Sequence, residues 1–181
     1  MKNRTKGLIG ETAVTLELLK LGYDVFNLNG IYHNYKNADI ICINPEKLKS
    51  TMIQVKTGTT HNIMTGILSE TDGTIPELEK KVIGPWVFVL MDKQFNMQFY
   101  VLTKEETIEL LKTSSDWYAN SWNRTLNKKP VVCVELSWLQ GGVSKASKPL
   151  AKKQHPEYQS SLKVSSQNRW DKIKDLLSLY S

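Results

Sequence analysis

Ala38-Asp39-Ile40-Ile41-Cys42 and Ile53-Gln54-Val55-Lys56 are two apolar runs separated by the turn signal Asn44-Pro45. Their β-branched content is that of strands buried in a core. Each nevertheless carries polar groups that a strand buried for packing alone does not need. Gln54 and Lys56 are two residues apart, so on a strand both project from the same face. Asp39 enters the neighbouring strand, which brings a carboxylate, an amide and an ammonium side by side.

Working outward toward the N-terminus, Thr5 to Leu21 has a helical pattern. Leu8, Val14, Leu16, Leu18 and Leu19 recur at spacings of two to four, and Gly22 stands where a helix C-terminal glycine belongs. On a helical wheel Leu8, Glu11, Thr15 and Leu18 share one stripe, with Glu17 opposite. Glu11 is therefore expected at the edge of the apolar face and Glu17 in solvent. Tyr23 to Leu28 alternates as a strand does, and Asn29-Gly30 turns the chain. The polar, aromatic segment Tyr32 to Asn37 then leads into the Asp39 strand. The expected start is a helix followed by a meander of three strands.

Toward the C-terminus, Thr57 to Pro76 is rich in Thr, Gly, Asn and Ser and reads as a long loop, a length that is uncommon unless functional. Strands are expected at Trp86 to Met91, Gln98 to Leu102 and Val131 to Leu136. Thr103 and Glu106 form a capping-box pattern ahead of a helix over Lys104 to Lys112. Trp117, Tyr118 and Trp122 recur near helical spacing and read as core or interface. Gly141 to Gln167 is poorly patterned, and Ser166 or Asn168 precedes an amphipathic helix through Trp170, Ile173, Leu176 and Leu177. The chain is expected to divide into a core domain, 1–140, and a basic extension, 141–181, that ends in this helix.

Composition agrees with one folded domain: 181 residues, 40% hydrophobic and 23% charged, values that argue against wholesale disorder. No apolar stretch is long enough to cross a bilayer, and the basic start is interrupted by Gly10, Glu11 and Thr12, so neither membrane insertion nor a secretory signal is expected. Cys42 and Cys133 sit inside β-branched runs and read as reduced core thiols of a cytoplasmic protein. The net charge of +6 permits a polyanionic partner. It is concentrated at the ends: residues 1–60 carry +3, residues 61–143 carry −2 and residues 144–181 carry +5. A solvated, solubilising tail explains the last of these equally well.

The juxtaposed polar groups suit one kind of chemistry. Hydrolysis of a phosphodiester needs charge neutralised on the phosphate and a hydroxide-like nucleophile in line, and a hard cation such as Mg²⁺ (or Mn²⁺) held by protein oxygens supplies both. Asp39 offers a carboxylate, Gln54 an amide oxygen, Val55 its backbone carbonyl, and Glu11 a second carboxylate from the helix edge. Lys56, its pKa lowered by the metal, is placed to stabilise developing negative charge or to orient the attacking water. Taken singly each residue has an ordinary explanation: Asp39 a strand-end cap, Lys56 an exposed turn residue, Glu11 a solvated helix position.

With Asp39 followed by Gln54-Val55-Lys56, after a helix bearing Glu11 in Lys6-Gly7-Leu8-Ile9-Gly10-Glu11, the sequence resembles the PD-(D/E)XK nucleases of the restriction-endonuclease-like fold. Residues 6–57 carry the resemblance, and the link Leu21-Gly22-Tyr23-Asp24-Val25 is most like Holliday junction resolvase-type members. The resemblance implies an α/β fold with a mixed sheet core in α-β-β-β-α-β order flanked by helices. It also implies a Mg²⁺-dependent deoxyribonuclease with Asp39 as metal carboxylate, Gln54 at the D/E position, Lys56 as catalytic lysine and Glu11 as helical acid. Two departures stand out: Ala38 replaces the proline before Asp39, and Gln54 replaces an acid, removing a negative charge from the site.

Around the expected site, Tyr35, Lys36, Thr57, Thr59 and His61 are candidates to contact DNA, through hydroxyls and ammonium on phosphates and through ring stacking. His33 is a candidate proton carrier, and Lys145, Lys148, Lys152, Lys153 and Lys163 could follow a nucleic-acid backbone; His155 reads as surface. One site cuts one strand, so a homodimer is expected for double-strand or junction cleavage. The competing reading, kept open by Gln54, is a catalytically inactive nuclease-fold module that binds nucleic acid or a protein. An accessory or immunity protein of a mobile element is a third.

Overall fold

The computed structural model describes residues 2–30, 35, 37–121, 130–145 and 157–178. Its first helix, α1 (Asn3–Lys20), ends where Gly22 adopts φ +84°, with the Tyr23 and Gly22 amides donating to the carbonyls of Leu18 and Leu19. Then come β1 (Asp24–Asn27), a single 3-10 turn (Leu28–Gly30), β2 (Ile40–Asn44) and β3 (Lys49–Gly58). The stripe that α1 buries is Gly10, Val14 and Leu18, whereas Leu8, Leu16 and Leu19 are exposed. Glu11, one position from Gly10, is half-buried at the edge of that stripe, and Glu17 pairs with Lys20 at 2.8 Å on the surface.

The expected long loop is a correction. Within it lies β4 (Asn62–Leu68), whose Ile63, Thr65 and Ile67 are buried in alternation, antiparallel to β7 (Val131–Glu135). Gly66, at φ +78°, breaks the register between Met64 and Leu68, so the strand bulges and its apolar period is masked by Thr and Gly. A short helix, α2 (Leu78–Lys81), follows, then β5 (Trp86–Met91) and β6 (Met97–Leu102). The capping box forms as expected, with the Glu106 amide donating to Thr103 Oγ1 (3.2 Å) and the Thr103 amide to Glu106 Oε2 (2.9 Å). Its helix, α3 (Lys104–Ser121), runs well past Lys112, because Ser114, Ser115 and Trp117 are buried. The chain continues through α4 (Leu136–Leu139), β8 (Val143–Lys145), β9 (Glu157–Gln159) and α5 (Asp171–Ser178).

The architecture is a five-stranded mixed sheet, in the order β1-β2-β3-β5-β6, flanked by helices. All neighbours are antiparallel except β3 and β5, which run parallel. Alternation along the strands sends Ile53, Val55, Val87 and Val89 to one face, where Val14 and Leu18 of α1 and Ile173 and Leu177 of α5 cover them. Trp86, Phe88, Tyr100 and Leu102 face the other way, into a core built with α3, β4, β7 and α4. Tyr158 and Leu162 join that second core, and Trp117, Trp138 and Tyr158 pack together within it, the first two edge-to-face and the last two tilted at 4.6 Å between ring centroids. No helix among the described residues is long and apolar enough to cross a membrane.

Both cysteines are free. Cys42 is buried and Cys133 partly so, and burial pushes their thiols up to about 12 and about 11, the latter helped by Glu135.

Candidate active site

Asp39 is the last residue before β2, its amide donating to the Ile53 carbonyl of β3 at 2.9 Å. That pairing places its side chain against the start of the Gln54-Val55-Lys56 stretch. The carboxylate is 8% exposed, and Oδ2 accepts from the Val55 amide at 2.8 Å and from the Gln54 side-chain amide. Hydrogen-bonding direction alternates along a strand, so the Val55 carbonyl leaves β3 on the same side as its amide, toward Asp39.

Glu11 reaches this group indirectly. Its Oε2 accepts from Asn27 Nδ2 at 3.0 Å and from Asn29 Nδ2 at 3.4 Å, and the same Asn29 nitrogen donates to Asp39 Oδ1 at 3.0 Å. One amide group thus spans the gap between the two carboxylates. The placement of α1 explains why Glu11 arrives here. At Gly10 the helix lies on β3 so closely that an added Cβ would sit 1.9 Å from Thr57 Oγ1.

Lys56 shares its face of β3 with Gln54, and its Nζ lies 5.2 Å from the centroid of the Trp86 ring. Burial holds its amine below the ordinary lysine range, with Asp39 and then Glu11 pulling it partly back up. The lowering therefore arises from the protein itself rather than requiring a metal. Gly66, at the β4 bulge, lies beside it; a Cβ there would be 3.9 Å from Lys56 Nζ.

Asp39, Gln54 and Lys56 line a cavity of about 310 Å³ together with Asn29, Tyr35, Asn37, Thr65, Gly66, Lys81 and Trp86. Of the residues expected at the site, Asp39, Gln54, Val55, Lys56 and Glu11 are brought together, and Tyr35 lies on the cavity wall. Thr57 is not on that wall: its hydroxyl is buried against α1, on the opposite face of the sheet, with no hydrogen-bond partner. Thr59 and His61 are exposed in the turn between β3 and β4 and do not line the cavity. Tyr32, His33, Lys36, Trp122, Lys148, Lys152, Lys153 and His155 lie outside the described residues. Sequence reasoning passed over Asn27, Asn29, Lys81 and Trp86. Asn29 read only as a turn signal, and nothing local in Lys81 distinguishes it from a surface lysine.

The donor set tests whether a metal fits. Asp39 and Glu11 carboxylates, the Gln54 side chain and the Val55 carbonyl are all oxygen donors, the chemistry of a hard cation. The Gln54 and Asn29 amides present nitrogen to the carboxylates, and a half-turn of either exchanges nitrogen for oxygen. Among the described residues no group of three or more His, Cys, Asp or Glu forms a ready metal cluster. Two carboxylates suit Mg²⁺, which keeps several waters and completes its shell with substrate phosphate.

No protein-family model matches the chain, and no curated protein matches it. Among solved structures, a bacterial homing endonuclease, I-Ssp6803I, is similar over 60% of this chain and 73% of that one, with 17% sequence identity and a TM-score of 0.43.

Proposed function

We propose that the chain is a divalent-metal-dependent endonuclease that hydrolyses DNA phosphodiester bonds. The observation that carries this reading is the convergence of Asp39, Gln54 and a half-buried lysine on the wall of one cavity, with the Val55 backbone behind Asp39 and a second carboxylate, Glu11, linked to it through Asn29. Asp39, Glu11, Gln54 and Val55 would hold Mg²⁺ or Mn²⁺, which when bound supplies charge neutralisation at the phosphate and a more acidic water. Asn27 and Asn29 fix the direction of the carboxylates. Lys56 places a cation beside Asp39, where it offsets negative charge developing on the phosphate oxygens or holds the attacking water. Trp86 beneath it and the β4 bulge beside it limit the water around the ammonium, which strengthens its field. Cleaving both strands of a duplex takes two sites, so the active form in this reading is a homodimer.

Supercoiled plasmid incubated with Mg²⁺ or Mn²⁺ tests the proposal. Nicking by the wild type that disappears in Asp39→Ala and Lys56→Ala, both still folded by circular dichroism, is the expected result. A second reading, an inactive nuclease-fold module, is favoured by Gln54, which leaves the site two carboxylates instead of three. DNA binding without cleavage under either metal would establish that reading in place of the first.

A further inference from the structure

We propose that Lys81 is a substrate-binding residue that grips a nucleic-acid phosphate in the cavity it shares with Lys56, an inference that rests on the phosphodiesterase reading of the same site. Lys81 ends α2 and lines the cavity with Asp39, Gln54 and Lys56, although it belongs to none of the strands that carry them. It is half-buried, and among the described residues no carboxylate pairs with it. Its neighbour Lys80, by contrast, is neutralised by Glu77 at 2.6 Å on the surface.

The backbone around Lys81 is firmly held. Asn37 Nδ2 donates to the Lys80 carbonyl at 3.4 Å, tying α2 to the segment that delivers Asp39. Val82 is fully buried, and Gly84 packs so closely on β3 that a Cβ would lie 2.0 Å from the Met52 carbonyl oxygen. The Pro85 carbonyl then accepts from the Gln54 amide at 3.2 Å. Lys81 is thus fixed to both catalytic strands rather than carried on a free loop.

The chemistry of the wall indicates an anion. Asp39 is the carboxylate on the cavity lining, against the two ammonium groups of Lys56 and Lys81. Tyr35 and Asn37 add polar groups, and the Trp86 indole N–H is buried with no acceptor among the described residues. A bound divalent cation would make the balance still more positive. At about 310 Å³ the cavity is at the lower end of ligand-site volumes, room for one nucleotide unit and its phosphate. Phosphate contacts of this kind position a strand without reading its sequence.

The test is fluorescence anisotropy with a labelled DNA oligonucleotide in Ca²⁺, titrated with NaCl, alongside plasmid nicking in Mg²⁺. Lys81→Ala is expected to weaken binding roughly three- to tenfold for every sequence and to lower the salt slope by about 1. Lys81→Arg should retain most of the affinity, and Lys174→Ala, on α5 across the sheet, controls for net charge. A Lys81→Ala protein that nicks and binds as Lys174→Ala does would overturn the inference and leave the nuclease reading standing. A wild type that binds but never cleaves, with affinity still dependent on Lys81, would sink the nuclease reading and keep the phosphate grip. A wild type that does neither overturns both.

Discussion

Two glycines of α1, one turn apart, make opposite predictions. At Gly10 a Cβ would lie 1.9 Å from Thr57 Oγ1, 3.0 Å from Thr57 Cβ and 3.1 Å from Cγ2; at Gly7 the nearest atom is Glu11 Oε1, at 3.9 Å. Replacing glycine by alanine inside a helix gains about 0.5–1 kcal/mol from lower unfolded-chain entropy. Gly7→Ala should collect that gain in full. Gly10→Ala must also force α1 off β3, since Thr57 is fixed by the pairing of its backbone with Val89, and overpacking of this kind costs about 1–3 kcal/mol. The two variants should therefore differ by about 2 kcal/mol, or roughly 1 M in urea midpoint at an ordinary slope of about 2 kcal/mol/M. Thr57→Ala in the Gly10→Ala background removes two of the three close contacts and should recover about 1 kcal/mol in a double-mutant cycle. The displacement also lengthens the Glu11 contacts to Asn27 and Asn29, so cleavage should fall in Gly10→Ala and not in Gly7→Ala. Equal urea midpoints for the two single variants would refute the packing of α1 on β3, and with it the account of how Glu11 is positioned.

The Thr57 hydroxyl is buried without a partner, so Thr57→Val should raise stability by about 1 kcal/mol and leave DNA affinity unchanged, as read by urea unfolding and anisotropy. Lys56, held below the ordinary lysine range mainly by burial, binds fewer protons folded than unfolded between its two pKa values. Stability should rise with pH across that window, and a Lys56→Met protein should lose the rise; identical urea midpoints against pH would count against the burial of the amine. The same depression should bring the alkaline loss of activity to a lower pH than a free amine would give. With thiols near 12 and 11, Cys42 and Cys133 should resist maleimide at neutral pH until urea unfolds the chain, and rapid labelling of the native protein would contradict their placement.

Much of the site could be read from local sequence because it follows local rules. The β2–β3 hairpin fixes the register that sets Asp39 beside Val55, and a two-residue spacing puts Gln54 and Lys56 on one face. Thr103 and Glu106 announced the start of α3 in the same way. What escaped depends on distant packing. Leucines mark the apolar stripe of α1 in the sequence, yet Gly10 makes the close approach and Leu8, Leu16 and Leu19 are exposed. In β4 a buried Thr65 and the exposed apolar Met64 and Leu68 hide the alternation that identifies a strand, and α3 persists through Thr113-Ser114-Ser115, weak helix formers that are kept helical by burial. Asn29 acquires its bridging position because a 3-10 turn follows β1, and no motif marks it. Lys81 joins Lys56 on the cavity lining only once β5 has paired with β3.

Because β3 and β5 are parallel neighbours, the chain between Gly58 and Trp86 must travel back along the sheet before β5 can begin. That return journey contains β4, its bulge and α2, so it furnishes Thr65, Gly66, Ile67 and Lys81 to the cavity, while Asp39 comes from just ahead of β2 and Gln54 and Lys56 from β3. Under the proposed nuclease reading, bond-breaking machinery and substrate-facing partition are thereby encoded in separate stretches of polypeptide. Exchanging residues 59–85 for a different crossover would re-shape what enters the cleft while preserving the groups that act on it.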